Sequence, residues 1–243
     1  MDTPRRRIFN AAWSEPFFER FMGRLTSQLG EFPFRVAETP FLMTHELRDW
    51  LATSASEIVQ QLSQPRNLEV LRKAVPDNYR VPNMDELPNC VQVDFAITHT
   101  PDGRAEGRVV ELQAFPSLYA LMSFMSDAWA DVMNEVPGLK EDWTCFIGLE
   151  KKEAIELMRK AIVGDHDPAE VVLVDYDPKQ QKTAPDFLAT QRLFGVDPVC
   201  VTDLKKSGRN LFRRRADGVE VPVKRIYNRM VFDELEVKNV VVP

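Results

Sequence analysis

The 243-residue sequence has few cysteines and no long apolar segment. Its three cysteines, Cys90, Cys145 and Cys200, are widely spaced and odd in number, which does not indicate a disulfide framework. We therefore expect buried, reduced thiols in a cytoplasmic protein. No apolar run approaches the roughly 20 residues that span a bilayer, and the first residues lack the apolar core of a signal peptide. Neither membrane association nor secretion is expected.

An excess of positive charge is also missing. Lys and Arg total 31 against 37 Asp and Glu, a net charge of −6, so we expect no nucleic-acid partner. The three histidines, His45, His99 and His166, show no zinc-binding spacing. The sequence has no GxxxxGK[ST] or GxGxxG loop and no GxSxG elbow, which excludes the familiar nucleotide-binding loops and a typical serine hydrolase.

The first half is rich in helical periodicity. Apolar residues from Trp13 to Leu29 recur every fourth position, with Ser14 as a candidate N-cap. Thr44 is a candidate cap for a second helix. Further helices are predicted over 68–75 and 118–132, and residues 76–89 predict an irregular connection.

Strand and helix patterns alternate in the second half. The almost wholly apolar segment 171–177 is typical of a parallel strand that is covered on both faces. The predicted order is strand 143–149, helix 151–163, strand 171–177, helix 184–195 and strand 197–204. This β-α-β-α-β order predicts a Rossmann-like domain.

A hairpin of strands 211–215 and 220–226 follows, joined at Asp217-Gly218. Pro137-Gly138 is the best boundary between the halves, giving regions 1–136 and 137–243. We assign the chain to the α/β class, with an α+β N-terminal half.

Two carboxylates are predicted to meet on another hairpin, formed by strands 91–98 and 107–113 around a Pro-Asp-Gly turn. Centring the loop on the turn places Asp94 opposite Glu111, and Gln113 shares their face because side chains alternate along a strand. The apolar side chains of Val93, Phe95, Val110 and Leu112 are predicted on the other face.

Oxygen ligands of this kind suit Mg²⁺, which takes one or two protein carboxylates and keeps several waters. Acidic residues on a hairpin also commonly form a plain solvated face. Both interpretations stay open on spacing alone.

Sequence motifs in this region resemble those of a known family. The run DFAIT…PDG…RVVELQAFPSLYALM resembles the metal-binding segment of circularly permuted ATP-grasp ligases, including glutathionylspermidine synthase-like proteins. The later segments VDYDPKQQKTAPDFLATQRLFGVDPVCVTDL and DGVEVPVKRIYNRMVFDEL are similar to the pre-ATP-grasp domain of that group. The resemblance covers roughly residues 90–235 and implies an ATP-grasp-like β-ribbon before a pre-ATP-grasp domain.

The resemblance implies roles for several residues. Asp94 and Glu111 would bind Mg²⁺, with Glu111 bridging two ions, and Gln113 stands where the family usually has Asn. Gln92 replaces an Arg that often holds phosphate. Other implied site residues are Ser117 near the substrate and Arg225 and Arg229 as basic catalytic side chains, although ordinary surface or ion-paired arginines are the alternative interpretation for both.

A further substrate contact is predicted at the end of the strand at 171–177. Asp175 and Asp177 end this strand, where open α/β sheets tend to bind ligands. Gln180 and Thr183 follow in a loop and are candidate substrate-binding residues. A basic run that includes Lys205, Lys206, Arg209 and Arg213–Arg215 is either a solvated loop or an attractor of an anionic substrate.

Two functions follow as hypotheses. The first is the N-terminal portion of an ATP-dependent ligase that joins small carboxylate and amine substrates through an acyl phosphate, with Mg²⁺ and ATP as cofactors. The family's ATP-gripping lysines are not found in the chain, so we expect no activity without a further C-terminal segment. The second is a non-catalytic binding or assembly module that forms a homodimer or pairs with such a segment.

Overall fold

The computed structural model describes residues 2–77, 80, 87–113 and 117–242. Helices and strands are mixed, which confirms the α/β class in its coarse form. The helices are α1 (Thr3–Ala12), α2 (Glu15–Leu29), α3 (His45–Leu62), α4 (Pro65–Ala74), α5 (Tyr119–Met133), α6 (Lys151–Ile162), α7 (Ala184–Phe194) and α8 (Phe232–Val237). The strands are β1 (Gln92–His99), β2 (Ala105–Gln113), β3 (Val171–Asp175), β4 (Asp197–Cys200), β5 (Lys205–Ser207), β6 (Asn210–Arg214), β7 (Glu220–Val223) and β8 (Arg225–Asn228).

The chain divides into two compact units. Unit 1 comprises residues 1–6 and 41–116, and unit 2 comprises residues 7–40 and 117–243. Pro137-Gly138 lies within unit 2, and the proposed division into 1–136 and 137–243 stays a prediction. Most of the irregular connection predicted for 76–89 lies outside the described residues.

Unit 1 is built on the antiparallel pair of β1 and β2, which we call the ribbon. One face of the ribbon packs against α3, where the rings of Trp50 and Phe95 lie 6.3 Å apart edge to face. Thr44 caps α3 as predicted, because its Oγ1 accepts a hydrogen bond from the backbone N–H of Leu47 at 3.2 Å. The helix and the ribbon thus bury their apolar sides against each other.

Unit 2 contains an aromatic core between α2 and α5. Ser14 caps α2 as predicted, accepting from the N–H of Phe17 at 3.3 Å. The ring of Phe21 stacks on Trp129 with 3.8 Å between centroids. Trp13, placed on the same stripe by the sequence pattern, precedes the helix and stays exposed.

A parallel sheet with strand order β4-β3-β8 forms the centre of unit 2. Every residue of β3 is buried, as predicted for a strand that is covered on both faces. Val171 and Leu173 join a cluster with Phe187 of α7, while Val172 and Val174 join a separate cluster with Val201. Alternate side chains of one strand therefore supply two apolar layers.

The strand predicted over 143–149 is wrong, because the structure has no strand there. Its backbone N–H groups bond instead to side-chain oxygens: Cys145 N donates to Ser126 Oγ at 3.0 Å, and Phe146 N donates to Thr144 Oγ1 at 3.1 Å. Cys145 is also exposed rather than buried. The parallel sheet has three strands, the number in the predicted β-α-β-α-β unit, but its third strand is β8 rather than the segment 143–149.

The predicted hairpin at 211–226 forms but is divided differently. β6 pairs with β7 antiparallel, and β5 adds a third strand on the other side of β6. The residues after β7 leave this small sheet and enter the parallel sheet as β8. None of the helices in the described ranges has the length and apolar character needed to cross a membrane.

Gly107 offers a test of the packing in unit 1. A Cβ added there would lie 2.6 Å from Leu51 Cδ2 and 2.7 Å from Trp50 Cζ3. Gly107→Ala should therefore lower the free energy of unfolding by about 1–3 kcal/mol through overpacking. Gly23→Ala is the matched control, since nothing lies within 4 Å of its added Cβ in helix α2.

The control should raise stability by up to about 1 kcal/mol because alanine favours the helix. Urea unfolding followed by circular dichroism measures both changes. Equal stability of Gly107→Ala and the wild type would contradict the close packing of the ribbon on α3.

Candidate functional site

The ribbon places the predicted metal-binding residues side by side. Asp94 is the direct cross-strand partner of Glu111, and Gln92 is the partner of Gln113. The predicted register is therefore confirmed at this end of the ribbon. All four side chains share one face because they occupy alternate positions on paired strands.

Hydrogen bonds link each carboxylate to a glutamine on its own strand. Gln92 Nε2 donates to Asp94 Oδ1 at 3.1 Å, and Gln113 Nε2 donates to Glu111 Oε1 at 2.6 Å. The amide oxygen of Gln92 is buried and has no hydrogen-bond partner in the part of the chain that the structure describes. An oxygen acceptor therefore stands without a donor beside two carboxylates.

A β-bulge follows immediately after this pair. The register shifts between Asp94 and Phe95, so that Phe95 faces Val109 and Val110 is left between paired positions. Val110 is predicted on the apolar face with Val93, Phe95 and Leu112, but the bulge removes it from the paired positions and its side chain is 65% exposed. Bulges of this kind re-aim side chains and are frequent beside functional sites.

The donor set of the ribbon contains oxygen alone. Among the described residues, no three His, Cys, Asp or Glu side chains converge on a common point. Neither Asp94 nor Glu111 forms an ion pair with Lys or Arg within those residues. Two carboxylates and neutral amide oxygens match the ligands of Mg²⁺ better than those of zinc.

A second polar cluster, formed by Asp175, Arg229 and Ser117, lies at the carboxyl ends of β3 and β8. We call this cluster the sheet edge. The chain runs from β3 through α7 to β4 on one side of β3 and then returns to β8 on the other side. The space between the ends of β3 and β8 is thus the point where the strand order reverses. Open α/β sheets bind ligands at such points.

Arg229 and Ser117 meet at the sheet edge. Arg229 directly follows β8, and its backbone N–H donates to the carbonyl of Val174 at 2.9 Å. Its Nη2 donates to Ser117 Oγ at 3.3 Å, and its guanidinium lies 5.7 Å from the ring centre of Phe187. The guanidinium is a buried cation, with Arg229 only 7% exposed.

Asp175 ends β3 beside this cation. Burial raises the pKa of Asp175 to about 6, against the lowering effects of a hydrogen bond from the Tyr176 N–H at 2.7 Å and of the charge on Arg229. The charge of Glu234 raises this pKa further, and that of Lys238 lowers it. A carboxyl group with this pKa exchanges its proton close to neutral pH.

Asp186 holds the neighbouring helix end. It is fully buried on α7, and its Oδ1 accepts from the N–H of Leu121 in the first turn of α5 at 3.0 Å. Burial raises the pKa of Asp186, although this hydrogen bond and the charge of Arg229 lower it. Leu118, the N-cap of α5, has a left-handed backbone with φ of 62° and gives no side-chain cap. The carboxylate of Asp186 therefore replaces the missing cap.

The structure separates the two predicted basic residues. Arg225 begins β8, about 13 Å along the strand from Arg229. Its Nε and Nη2 donate to the carbonyl oxygens of Ile162 and Ala161 at 2.9 and 2.8 Å. Arg225 therefore stabilises the C-terminus of α6 rather than facing the sheet edge.

The two predicted substrate-binding residues of the loop after β3 lie in different environments. Gln180 is exposed, and Thr183 is the half-buried N-cap residue of α7 without a side-chain capping bond. Gln181, not predicted, donates from Nε2 to Asp175 Oδ1 at 3.5 Å and to the Tyr176 carbonyl at 2.8 Å. No periodic signal in the sequence distinguishes Gln181 from its neighbour.

Comparison with known proteins adds no relative. The chain matches no protein-family model, no curated protein and no solved structure.

The pKa of Asp175 gives a pH prediction. Because the pKa rises from 3.8 to about 6 on folding, the folded state holds the proton more tightly than the unfolded chain. The resulting stability is present below pH 3.8 and is lost as the pH rises through 6. The free energy of unfolding of Asp175→Asn should equal that of the wild type near pH 3.5. Above pH 6 it should be about 1–3 kcal/mol higher than that of the wild type.

Urea unfolding between pH 3.5 and 8 measures this difference. Asp177→Asn is the control, since Asp177 is exposed and asparagine tolerates its left-handed φ of 46°. The control should leave the pH profile unchanged. A constant difference between Asp175→Asn and the wild type across this range would contradict the raised pKa.

Proposed function

We propose that the chain is the N-terminal portion of an ATP-grasp-type ligase that forms an amide from a carboxylate and an amine. The observation that carries the proposal is the direct pairing of Asp94 and Glu111 on the ribbon. This pairing supports the proposal because the resemblance implies a metal-binding role for both carboxylates. The amide oxygen of Gln92, which has no hydrogen-bond partner among the described residues, adds a third oxygen at the same place.

The residues of the ribbon fit Mg²⁺. Asp94 and Glu111 would hold the ion, and the amide oxygens of Gln92 and Gln113 are candidate neutral ligands because both amide nitrogens already donate to carboxylates. Bound Mg²⁺ would supply charge neutralisation on the phosphate oxygens of ATP.

The sheet edge of unit 2 is the proposed place for the carboxylate substrate. The planar guanidinium of Arg229 suits a carboxylate or phosphate, and Ser117 contacts it. Asp175 exchanges a proton near neutral pH, so it is suited to accept one from an amine. Arg225 has no part in this proposal because it binds the end of α6.

The metal site is tested with Mn²⁺ as a paramagnetic substitute for Mg²⁺. Amide NMR signals around Asp94 and Glu111 should broaden first when Mn²⁺ is added. Asp94→Asn and Glu111→Gln should each weaken Mn²⁺ binding by about tenfold or more, since each removes a charged ligand. Mg²⁺ should compete with Mn²⁺ for the same signals.

Glu106→Gln is the matched control. Glu106 lies on the same face of the ribbon but pairs with Arg108 at 2.5 Å, so its loss should leave Mn²⁺ affinity unchanged. Broadening elsewhere in the chain, or unchanged affinity in both Asp94→Asn and Glu111→Gln, would refute the metal site.

Mg²⁺ with ATP should raise the melting temperature of the wild type more than Mg²⁺ alone.

An assembly module is the second candidate function. The apolar side chains of Val109, Val110 and Leu112 on β2 are 47%, 65% and 40% exposed, which favours contact with another chain. In sedimentation equilibrium, the wild type should then be a dimer and the Val110→Lys variant a monomer. A wild type that is monomeric at about 100 μM, a concentration at which weak contacts with micromolar dissociation constants are populated, would exclude this function.

A further inference from the structure

A groove of about 1000 Å³ lies beside β4 in unit 2. The loop after β3 and the segment after β4 line it, together with residues 213–216 at the end of β6. The groove runs along β4, from Asp197 at the start of the strand to Cys200 at its end, and it also includes the loop that follows β3. Its volume is that of a small-molecule site.

The charge of this groove is opposite to that of the chain. Five cationic side chains line it against three carboxylates, although the whole chain carries a net charge of −6. The cations are Lys179, Lys205, Arg213, Arg214 and Arg215, and the carboxylates are Asp177, Asp197 and Asp203. Because cations outnumber carboxylates in this concave lining, it attracts anionic ligands.

One carboxylate of the groove is already neutralised. Asp197 Oδ2 accepts from Nη1 of Arg213 at 2.6 Å, and its Oδ1 accepts from Gln191 at 2.7 Å. Arg213 is 4% exposed and also donates twice to the carbonyl of Ala169. This buried arginine fixes β6 beside β4 and so holds the shape of the groove.

Other cations are exposed and not held by buried partners. Lys179 forms no ion pair in the described ranges, and Arg214 donates only to the carbonyl of Gly218 at 3.2 Å there. Lys205 and Arg215 pair with exposed carboxylates, and such surface pairs are weak enough to exchange for a ligand. Lys179 and Arg214 come from separate segments of the chain.

We propose that this groove binds a small molecule that carries a diphosphate or a similar pair of anionic groups. Lys179 contacts one group and Arg214 the other, with the hydroxyl of Thr202 as a polar neighbour in the lining. The residues that line the groove do not include Arg229, Ser117 or Asp175. Binding in the groove does not depend on the proposed ligase activity.

The test is a calorimetric titration of the full chain with inorganic pyrophosphate in EDTA at low salt. Saturable one-to-one binding is expected, with inorganic phosphate binding at least about tenfold more weakly because it reaches one cation. Lys179→Gln and Arg214→Gln should each weaken pyrophosphate binding by about tenfold. Both residues are exposed, and unchanged melting temperatures confirm that the variants fold.

Lys206→Gln and Arg209→Gln are the matched controls, because both residues belong to the same basic run but do not line the groove. They should leave the pyrophosphate affinity within about twofold of the wild type. Absence of saturable binding, or equal weakening by the control variants, would overturn the proposal. Glu111→Gln tests independence from the metal site, and loss of pyrophosphate binding in this variant would also overturn it.

Discussion

Burial of β3 on both faces is the constraint on which unit 2 depends. Val171 to Val174 are fully shielded, and alternate side chains enter two different apolar clusters. Burying four such side chains contributes roughly 1.5–3 kcal/mol each, more than any single surface contact. The residue that follows them, Asp175, is therefore carried to the end of a buried strand whether or not its charge is stabilised there.

The same strand sets the partners of Asp175. Pairing of β8 with β3 places Arg229 beside the carboxyl end of β3, since its N–H continues the ladder to Val174. Pairing of β4 on the other side places Cys200, one of the residues that line the groove, opposite Asp175. Backbone pairing thus positions side chains of two polar regions on a single sheet. Their chemistry differs because the strands contribute different side chains.

The sequence allowed the local features to be predicted well. Helix caps at Ser14 and Thr44 and the Asp94–Glu111 register depend on neighbours a few residues away or on one short turn, so patterns reveal them. The ATP-grasp assignment itself remains a proposal, because the coarse α/β class is compatible with many functions.

Long-range contacts explain what could not be predicted. Arg225 and Arg229 look alike in sequence, but carbonyl groups more than 60 residues away hold one of them, and a serine 112 residues away contacts the other. The segment 143–149 has a strand-like composition, yet hydroxyl groups of Ser126 and Thr144 take hydrogen bonds from its backbone. The bulge at Val110 has no marker such as glycine.

In the ribbon, unlike the buried sheet, repulsion between the two carboxylates Asp94 and Glu111 opposes the packing against α3. Repulsion between two like charges about 4 Å apart costs only about 1 kcal/mol in water. Glu111 is exposed and Asp94 is half-buried. Packing of Phe95 and Gly107 against α3 already fixes the ribbon. In the proposed metal site, a divalent ion would therefore bind to side chains that the fold already holds in place. Its binding energy would be available to orient a ligand, whereas in a zinc finger the same energy is used for folding.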